Sequence, residues 1–545
     1  MERRHLGLIA LAALPVLVLG VFFVLPVTGM VRRGFVVDGD WDAATVVRVL
    51  GRAEIHRAIW FTVWTSLTAT AASVLLGLPA AYVLHRLAFP LRRLVRAALL
   101  VPFVLPTVVV GVAFRELLGE AGPLAGLHLD GTPVAIIAGL VFFNVAVVIR
   151  SVGAAWESLD ARPAEAAAAL GARPWTVFRT VTLPALRPSI VSAGSVVFLF
   201  CATAFGVVLT LGGLRYNSVE TEIYKLTTVL LDLPGAAALS ILQLLVVVVL
   251  LTLAGRLRAV PDPTQQRAVV RPRRPRRTDL PQILVTVVLL ALVAAPVVTL
   301  LVGSLRVDGH WSLGSYRALQ TPGSANTLAV PATDAVVSSL EIAVVATAMS
   351  LLLGLLVAVV VTGRSRGRGE RRLRAVLDGL FMLPLGVSAV TLGFGLFITL
   401  DRPPVDFRDS PWLVPVAQAL VALPLVVRTL VPVLAGIDDR QRQAAASLGA
   451  GPLRTVLTVD VPVVWKPLLA AAGFAFAASL GEFGATSFLY RSDHPTLPVV
   501  IYRLIGHPGA MNYGMALAGS CVLAAATAVV MLLVERLRVP SLGAF

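Results

Sequence analysis

Few residues of this 545-residue chain could do chemistry, and those few sit in unusual places. Glu482 falls inside a long apolar run, about 15 residues and about 22 Å from its start at 1.5 Å per residue. An ionisable side chain at that depth is expensive, so it faces a cavity or a partner. Two readings stay open. Glu482 lines the outer part of a pathway and helps pass a cationic solute, or it is a protonated or paired carboxyl that holds helices together. Glu341 is a weaker candidate, because a helix at the edge of a bundle can snorkel its carboxyl outward. Asn144 and Gln418 suit hydrogen bonds between helices. Pro102, Pro106 and Pro384 lie in apolar runs, where each frees a backbone carbonyl and can kink a helix, either at a gate or as a static bend.

The signals of soluble chemistry are missing. The sequence holds no Gly-x-x-x-x-Gly-Lys-[Ser/Thr] loop, and Lys225 and Lys466 follow Tyr and Trp. Without a phosphate cradle the chain is not expected to hydrolyse ATP. Its histidines are scattered with no zinc-like spacing, so no metal site is expected, and no nucleophile–base arrangement stands out as catalytic. His494 and His507 read as solvated loop residues. Cys201 and Cys521 both fall in apolar runs and read as buried free thiols.

The elements that would position these residues are membrane helices. Hydrophobic residues make up 57% of the chain and charged residues 14%, against roughly 45–50% and 25% in soluble domains. About twelve apolar runs are long enough to span a bilayer. They fall near 6–28, 58–84, 94–118, 133–156, 190–212 and 237–257, then near 281–305, 334–362, 373–399, 411–435, 467–490 and 513–537. The expected fold is all-α and polytopic, with two homologous six-helix halves. The net charge of +16 resides in alternate loops, such as Arg92, Arg93 and Arg96 or Arg371, Arg372 and Arg374. That alternation fits a cytoplasmic face rather than a nucleic-acid surface. Both termini are then cytoplasmic, and the first run reads as a retained helix rather than a cleaved signal. The expected domains are 1–257, a basic Pro/Arg-rich linker over 258–280, and 281–545. Landmarks recur in order across the linker. Pro102 to Gly111 matches Pro384 to Gly393, and Phe205-Gly206 matches Phe483-Gly484. Parallel repeats place a pathway at the interface of the halves, with these prolines, Phe205, Gly206, Phe483 and Gly484 as candidates beside Glu482.

One polar segment also occurs twice. Glu165-Ala-Ala-Ala-Ala-Leu-Gly-Ala172 returns as Gln443-Ala-Ala-Ala-Ser-Leu-Gly-Ala450, 278 residues on. Asp160 or Ser158, and Asp438 or Asp439, can cap the start of a helix. Alanines then favour a smooth helix, and Gly171 and Gly449 suit the left-handed position past its end. Pro174 and Pro452 open a second short helix. The result is a helix–turn–helix elbow, over 157–187 and 436–466, whose first limb another protein's groove can accept closely.

This pattern resembles the permease subunits of binding-protein-dependent ABC importers. Their signature is Glu-Ala-Ala, three residues, Gly, nine residues, Ile, one residue, Leu-Pro. The first copy fits at Glu165, Ala166, Ala167, Gly171, Leu183 and Pro184, with Val181 for Ile. The second keeps Ala444, Ala445, Gly449 and Pro462 but has Gln443, Val459 and Val461. The resemblance covers essentially the whole chain. It implies that both elbows are coupling helices docking on a separate ATPase subunit, which carries the ATP and magnesium. It also implies a bacterial inner-membrane location and an extracytoplasmic solute-binding protein as partner. Phe205 to Gly213, Glu222-Ile-Tyr224 and Pro495 to Tyr502 look like the fused thiamine permeases. Fused ferric-iron permeases are the near alternative. Gly481 to Thr486 is similar to the usually single-domain molybdate and sulfate permeases. An ion-coupled secondary transporter would need more intramembrane acids than Glu482 and Glu341. A membrane enzyme would need a catalytic cluster at the bilayer edge.

Overall fold

The computed structural model describes residues 2–536, except 38–39, 42, 100–101, 103–104, 214, 258–271, 364–366, 384–386 and 403–404. Pro384 and most of the linker lie outside the described residues. The remainder is all-α apart from three short antiparallel hairpins. Two of these follow the first long helix of each half, pairing Val36–Val37 with Asp40–Trp41 and Arg306–Val307 with His310–Trp311.

Among the described residues ten helices, not twelve, are long and apolar enough to cross a membrane. The expected spans 94–118 and 373–399 are broken. The first consists of Arg92–Ala98 and Thr107–Leu118, the second of Arg368–Met382 and Ala389–Thr399. Pro106 explains the first break. It lacks an N–H, disfavours helix in the residue before it, and stands as N-cap with φ −57° and ψ 139°. Ser388 does the equivalent in the second half, its Oγ accepting from Thr391 N at 3.0 Å. Helices of 12 and 11 residues reach only about 18 Å, short of the roughly 30 Å hydrocarbon core.

The runs expected over 190–212 and 467–490 shift instead. The long helices there occupy Pro174–Ala202 and Leu457–Leu480, with Gly206–Gly212 and Thr486–Leu489 as separate short helices beyond a break. Each long helix starts early because one π-turn, Phe178–Thr182 or Val456–Asp460, joins the elbow's second limb to the span without interruption.

The two halves repeat each other's packing. Ala53–Arg86, Pro133–Ser158 and Leu183–Ala202 form a three-helix cluster, and Ala332–Thr362, Leu413–Ala435 and Val461–Leu480 form its copy. Each cluster has a tight helix contact at a matching glycine. A methyl on Gly77 would sit 2.8 Å from Val148 Cγ1, and one on Gly354 would sit 2.5 Å from Val426 Cγ1. Only glycine admits that spacing without displacing the neighbouring helix.

The halves also exchange their first helices. Leu280–Ser304 packs on Ala53–Arg86 of the first half, and Glu2–Leu19 packs on Ala332–Thr362 of the second. Where the linker enters the second half the junction is pinned. Arg273 bridges to Asp279 at 2.7 Å, and Tyr82 OH donates to Asp279 Oδ1 at 2.9 Å.

Candidate functional site

Both elbows form as expected and end alike. The first limbs are Arg162–Ala169 and Asp439–Ser447. Asp160 Oδ1 accepts from Arg162 N at 3.0 Å, and Asp438 Oδ1 accepts from Arg440 N at 2.9 Å. At the far end Ala172 N donates to Ala167 O at 3.1 Å and Gly171 N to Ala168 O at 3.0 Å. Ala450 N to Ala445 O and Gly449 N to Ala446 O repeat this at 3.0 Å each. That is the hydrogen-bonded helix ending that needs a left-handed residue, and Gly171 and Gly449 supply φ of +86° and +81°.

Glu165, Ala166, Gly171 and their counterparts Gln443, Ala444 and Gly449 are exposed, while Ala167 and Ala445 are half-buried. Leu183 and Pro184 are half-buried at the foot of the first elbow, and Pro462 is exposed at the foot of the second. Leu170 and Leu448, one at each tip, are 90% and 88% exposed. An exposed leucine on each matching tip is the kind of side chain that a protein groove can accept.

The second feature lies where the halves meet. Phe205 and Phe483, one from each half, stack with ring centroids 5.3 Å apart and planes 23° from parallel. Tyr224 closes on Phe205 at 5.5 Å, and Tyr502 on Phe483 at 5.4 Å. This quartet obeys the same 278-residue repeat as the elbows. Its tyrosines ride on short helices, Val219–Thr228 and Leu497–Gly506, that are fixed alike. Val219 N donates to Thr62 Oγ1 at 2.9 Å, and Leu497 N to Ser339 Oγ at 2.7 Å. Sequence reasoning named the phenylalanines as pathway candidates but not the tyrosines, although their equal spacing was visible.

Beside the stacked pair is a cavity of about 260 Å³ that Phe205, Gly206, Glu482, Phe483 and Gly484 help to line. Thr107, Phe143, Asn144 and Phe200 complete much of its wall. Pro106 reaches this region through Gly481, where an added methyl would sit 3.2 Å from Pro106 Cγ. Pro102 is buried, apart from the cavity lining.

The Glu482 carboxylate is engaged locally. Its Oε1 accepts from Ala485 N at 2.7 Å, and its Oε2 accepts from Thr486 N at 3.0 Å and from Thr486 Oγ1. It thereby caps the short helix Thr486–Leu489 while bordering the cavity. Asn144 Nδ2 donates to Leu140 O at 2.9 Å and to Cys201 Sγ at 3.4 Å on the neighbouring helix. Gln418 bridges Ser479 and Thr486. Glu341 is exposed on the outside of its helix. Among the described residues no three His, Cys, Asp or Glu side chains gather as a metal site.

Sequence reasoning missed a buried polar ring between the halves. Glu220 is fully buried, and Gln243 Nε2 donates to its Oε1. Ser388 Oγ of the other half donates to Glu220 Oε2 at 3.0 Å. Thr391 Oγ1 closes the ring on Gln243 Oε1 at 3.4 Å. None of the four keeps its residue type in the other half, so the repeat carried no signal for them.

Two swapped helical repeats, paired exposed elbows and an aromatic closure on the interface define a two-fold membrane permease. The chain belongs to the family described as binding-protein-dependent transport system inner membrane component, whose model matches residues 73–264 and again 350–538. It is similar to the thiamine transport system permease protein of Brucella abortus (strain 2308), at 28% identity over 490 residues, covering 86% of this chain and 85% of that one. The thiamine transport system permease protein of Escherichia coli (strain K12) is 26% identical over 480 residues, covering 86% of each chain. A probable ABC transporter permease protein of Sinorhizobium fredii is 26% identical over 512 residues, covering 88% of this chain and 87% of that one.

Proposed function

We propose that this chain is the membrane permease of an ABC importer that carries thiamine from an extracytoplasmic binding protein into the cytoplasm. The observation that carries the solute is likeness to thiamine permeases over 86% of the chain. Energy comes from ATP and magnesium on a separate subunit, since the sequence has no phosphate-cradling loop. Both elbows, and both termini, face the cytoplasm by the distribution of arginine.

In this scheme the ATPase domains grip the exposed tips at Leu170 and Leu448. Glu165, Ala166, Ala167, Gly171, Leu183 and Pro184 form one coupling surface, and Gln443, Ala444, Ala445, Gly449 and Pro462 form the other. Drawing the ATPase domains together moves the tips. Each elbow is continuous with its span through a π-turn, so the motion passes along Pro174–Ala202 and Leu457–Leu480 to the breaks at Phe205 and Phe483. Separating the stacked phenylalanines opens the cavity, and Glu482 offers a negative wall to a cationic solute. ATP can drive this only if the two states bind ATPase and binding protein differently.

Uptake of labelled thiamine and of ferric iron, in cells with and without the chain, tests the reading. Loss of thiamine uptake alone supports it. Loss of iron uptake alone assigns the same machine to the other solute.

A further inference from the structure

The halves touch along two seams that the repeat makes equivalent, and the seams differ in chemistry. In one, the helices Val219–Thr228 and Leu233–Leu257 of the first half meet Ala389–Thr399 of the second. In the other, Leu497–Gly506 and Ala510–Arg536 of the second half meet Thr107–Leu118 of the first. The first seam holds the ring of Glu220, Gln243, Ser388 and Thr391, exposed by 0%, 7%, 9% and 1%. The repeat places Pro498, Cys521, Pro106 and Val109 at the corresponding positions of the second. All four are buried, and none donates across the seam like the ring residues.

Parting the two seams therefore has different consequences. Opening the first breaks the bonds of Ser388 to Glu220 and of Thr391 to Gln243, taking a partner from a buried carboxylate and a buried amide inside a low-dielectric core, which is costly unless water replaces both bonds. At the four corresponding positions, opening the second breaks only van der Waals contacts between apolar groups. One polar contact does cross the second seam, away from those four positions, Tyr513 OH donating to Glu116 Oε2 at 3.0 Å. Both of its residues are half-buried, so it can exchange its partner for water at small cost.

We propose that the polar ring is a pivot that stays closed through the transport cycle, and that the interface opens at the apolar seam. Glu220 is then a positioning residue. It holds Ser388, the cap of the helix whose first residue, Ala389, abuts Gly484. A methyl on Gly484 would lie 2.9 Å from Ala389 Cβ. Its own helix carries Tyr224 onto Phe205. The pivot thus tethers both sides of the aromatic stack, through Tyr224 on Phe205 and through Ala389 on Gly484 beside Phe483, and opening at the apolar seam turns the two sides about it.

The inference rests on the ATP-driven opening proposed above, and spin-label distances in the assembled transporter separate the two. Val229→Cys with Asp409→Cys reports on the polar seam, and His507→Cys with Glu120→Cys on the apolar one. All four sites are exposed, whereas the native Cys201 and Cys521 are buried and stay unlabelled. Between the nucleotide-free and ATP-trapped states the second distance should change and the first should not. Equal changes at both seams overturn the pivot while leaving ATP-driven opening intact. No change at either overturns the opening itself, and the pivot with it. In a second arm, Glu220→Leu should make the first distance vary as well, and Glu220→Gln, which can still bond Ser388, should restore its constancy. A Glu220→Leu protein that keeps the parental distances also overturns the proposal.

Discussion

The elbow Arg162–Ala169 and its copy Asp439–Ser447 finish in the same bonded turn and expose the same leucine. The seams on either side of the stacked phenylalanines are built from corresponding helices but differ in chemistry, one holding a polar ring where the other is apolar. In the proposed scheme an ATPase subunit grips both elbows, and their common backbone geometry offers it two like surfaces. A single solute crossing a single interface needs no such equality, and there the halves have diverged. Even the elbows differ in side chains. Arg442 bridges Asp460 at 2.8 Å in the second, where the first has Ala164 and Thr182. Equality is retained in the backbone at the docking surface and is lost in the side chains inside.

The largest expected effect attacks what is shared. Gly171→Trp or Gly449→Trp places a large side chain at a left-handed residue, at a backbone cost of about 1–2 kcal/mol, and puts bulk on the docking surface. ATP-driven uptake should fall to background while membrane levels hold. Normal uptake in both variants would refute the coupling role and reduce the elbow likeness to ancestry alone.

Next comes the aromatic closure. Phe205→Ala or Phe483→Ala removes a buried ring, at a cost of about 3–5 kcal/mol. Each should let solute leak from proteoliposomes without ATP. Tight vesicles would show that the stack packs helices and closes nothing.

Ser388→Ala takes a donor from buried Glu220 and should lower the stability of the purified protein by about 1–3 kcal/mol. Pro106→Ala, its counterpart in the apolar seam, takes no donor from a buried side chain and tests the contrast. Equal melting shifts would erase the difference between the seams.

Smallest are the elbow charges. Arg442→Ala breaks a half-exposed pair worth about 0–1 kcal/mol, and Glu165→Gln makes the first elbow resemble the second. Uptake should stay within about two-fold for each, since such contacts carry little energy. A large loss with Glu165→Gln alone would mean that the two ATPase interfaces are unequal.

Much of this was legible without coordinates. The apolar runs, the repeat at 278 residues, the capping aspartates and the left-handed glycines are local or periodic signals, and the structure places them as the spacing implies. The span count was not, because Pro106 and Ser388 break two runs whose hydropathy is unbroken. Hydropathy measures solubility in lipid, whereas a helix boundary depends on which N–H groups find partners. The early start of Pro174–Ala202 was hidden for a related reason, since a π-turn leaves no compositional mark.

From the sequence alone follow the membrane-embedded helical class, the two repeated halves and the paired elbows, because each rests on composition or on contacts within a few residues along the chain. Tertiary structure alone decided that the first helices swap between halves, that Phe205 meets Phe483, and that Glu482 caps its own helix turn while bordering a cavity. It also decided that Glu220 finds Ser388 across 168 residues. A buried polar group takes whichever partner the packing brings within about 3 Å, and that partner leaves no trace in the spacing of the chain.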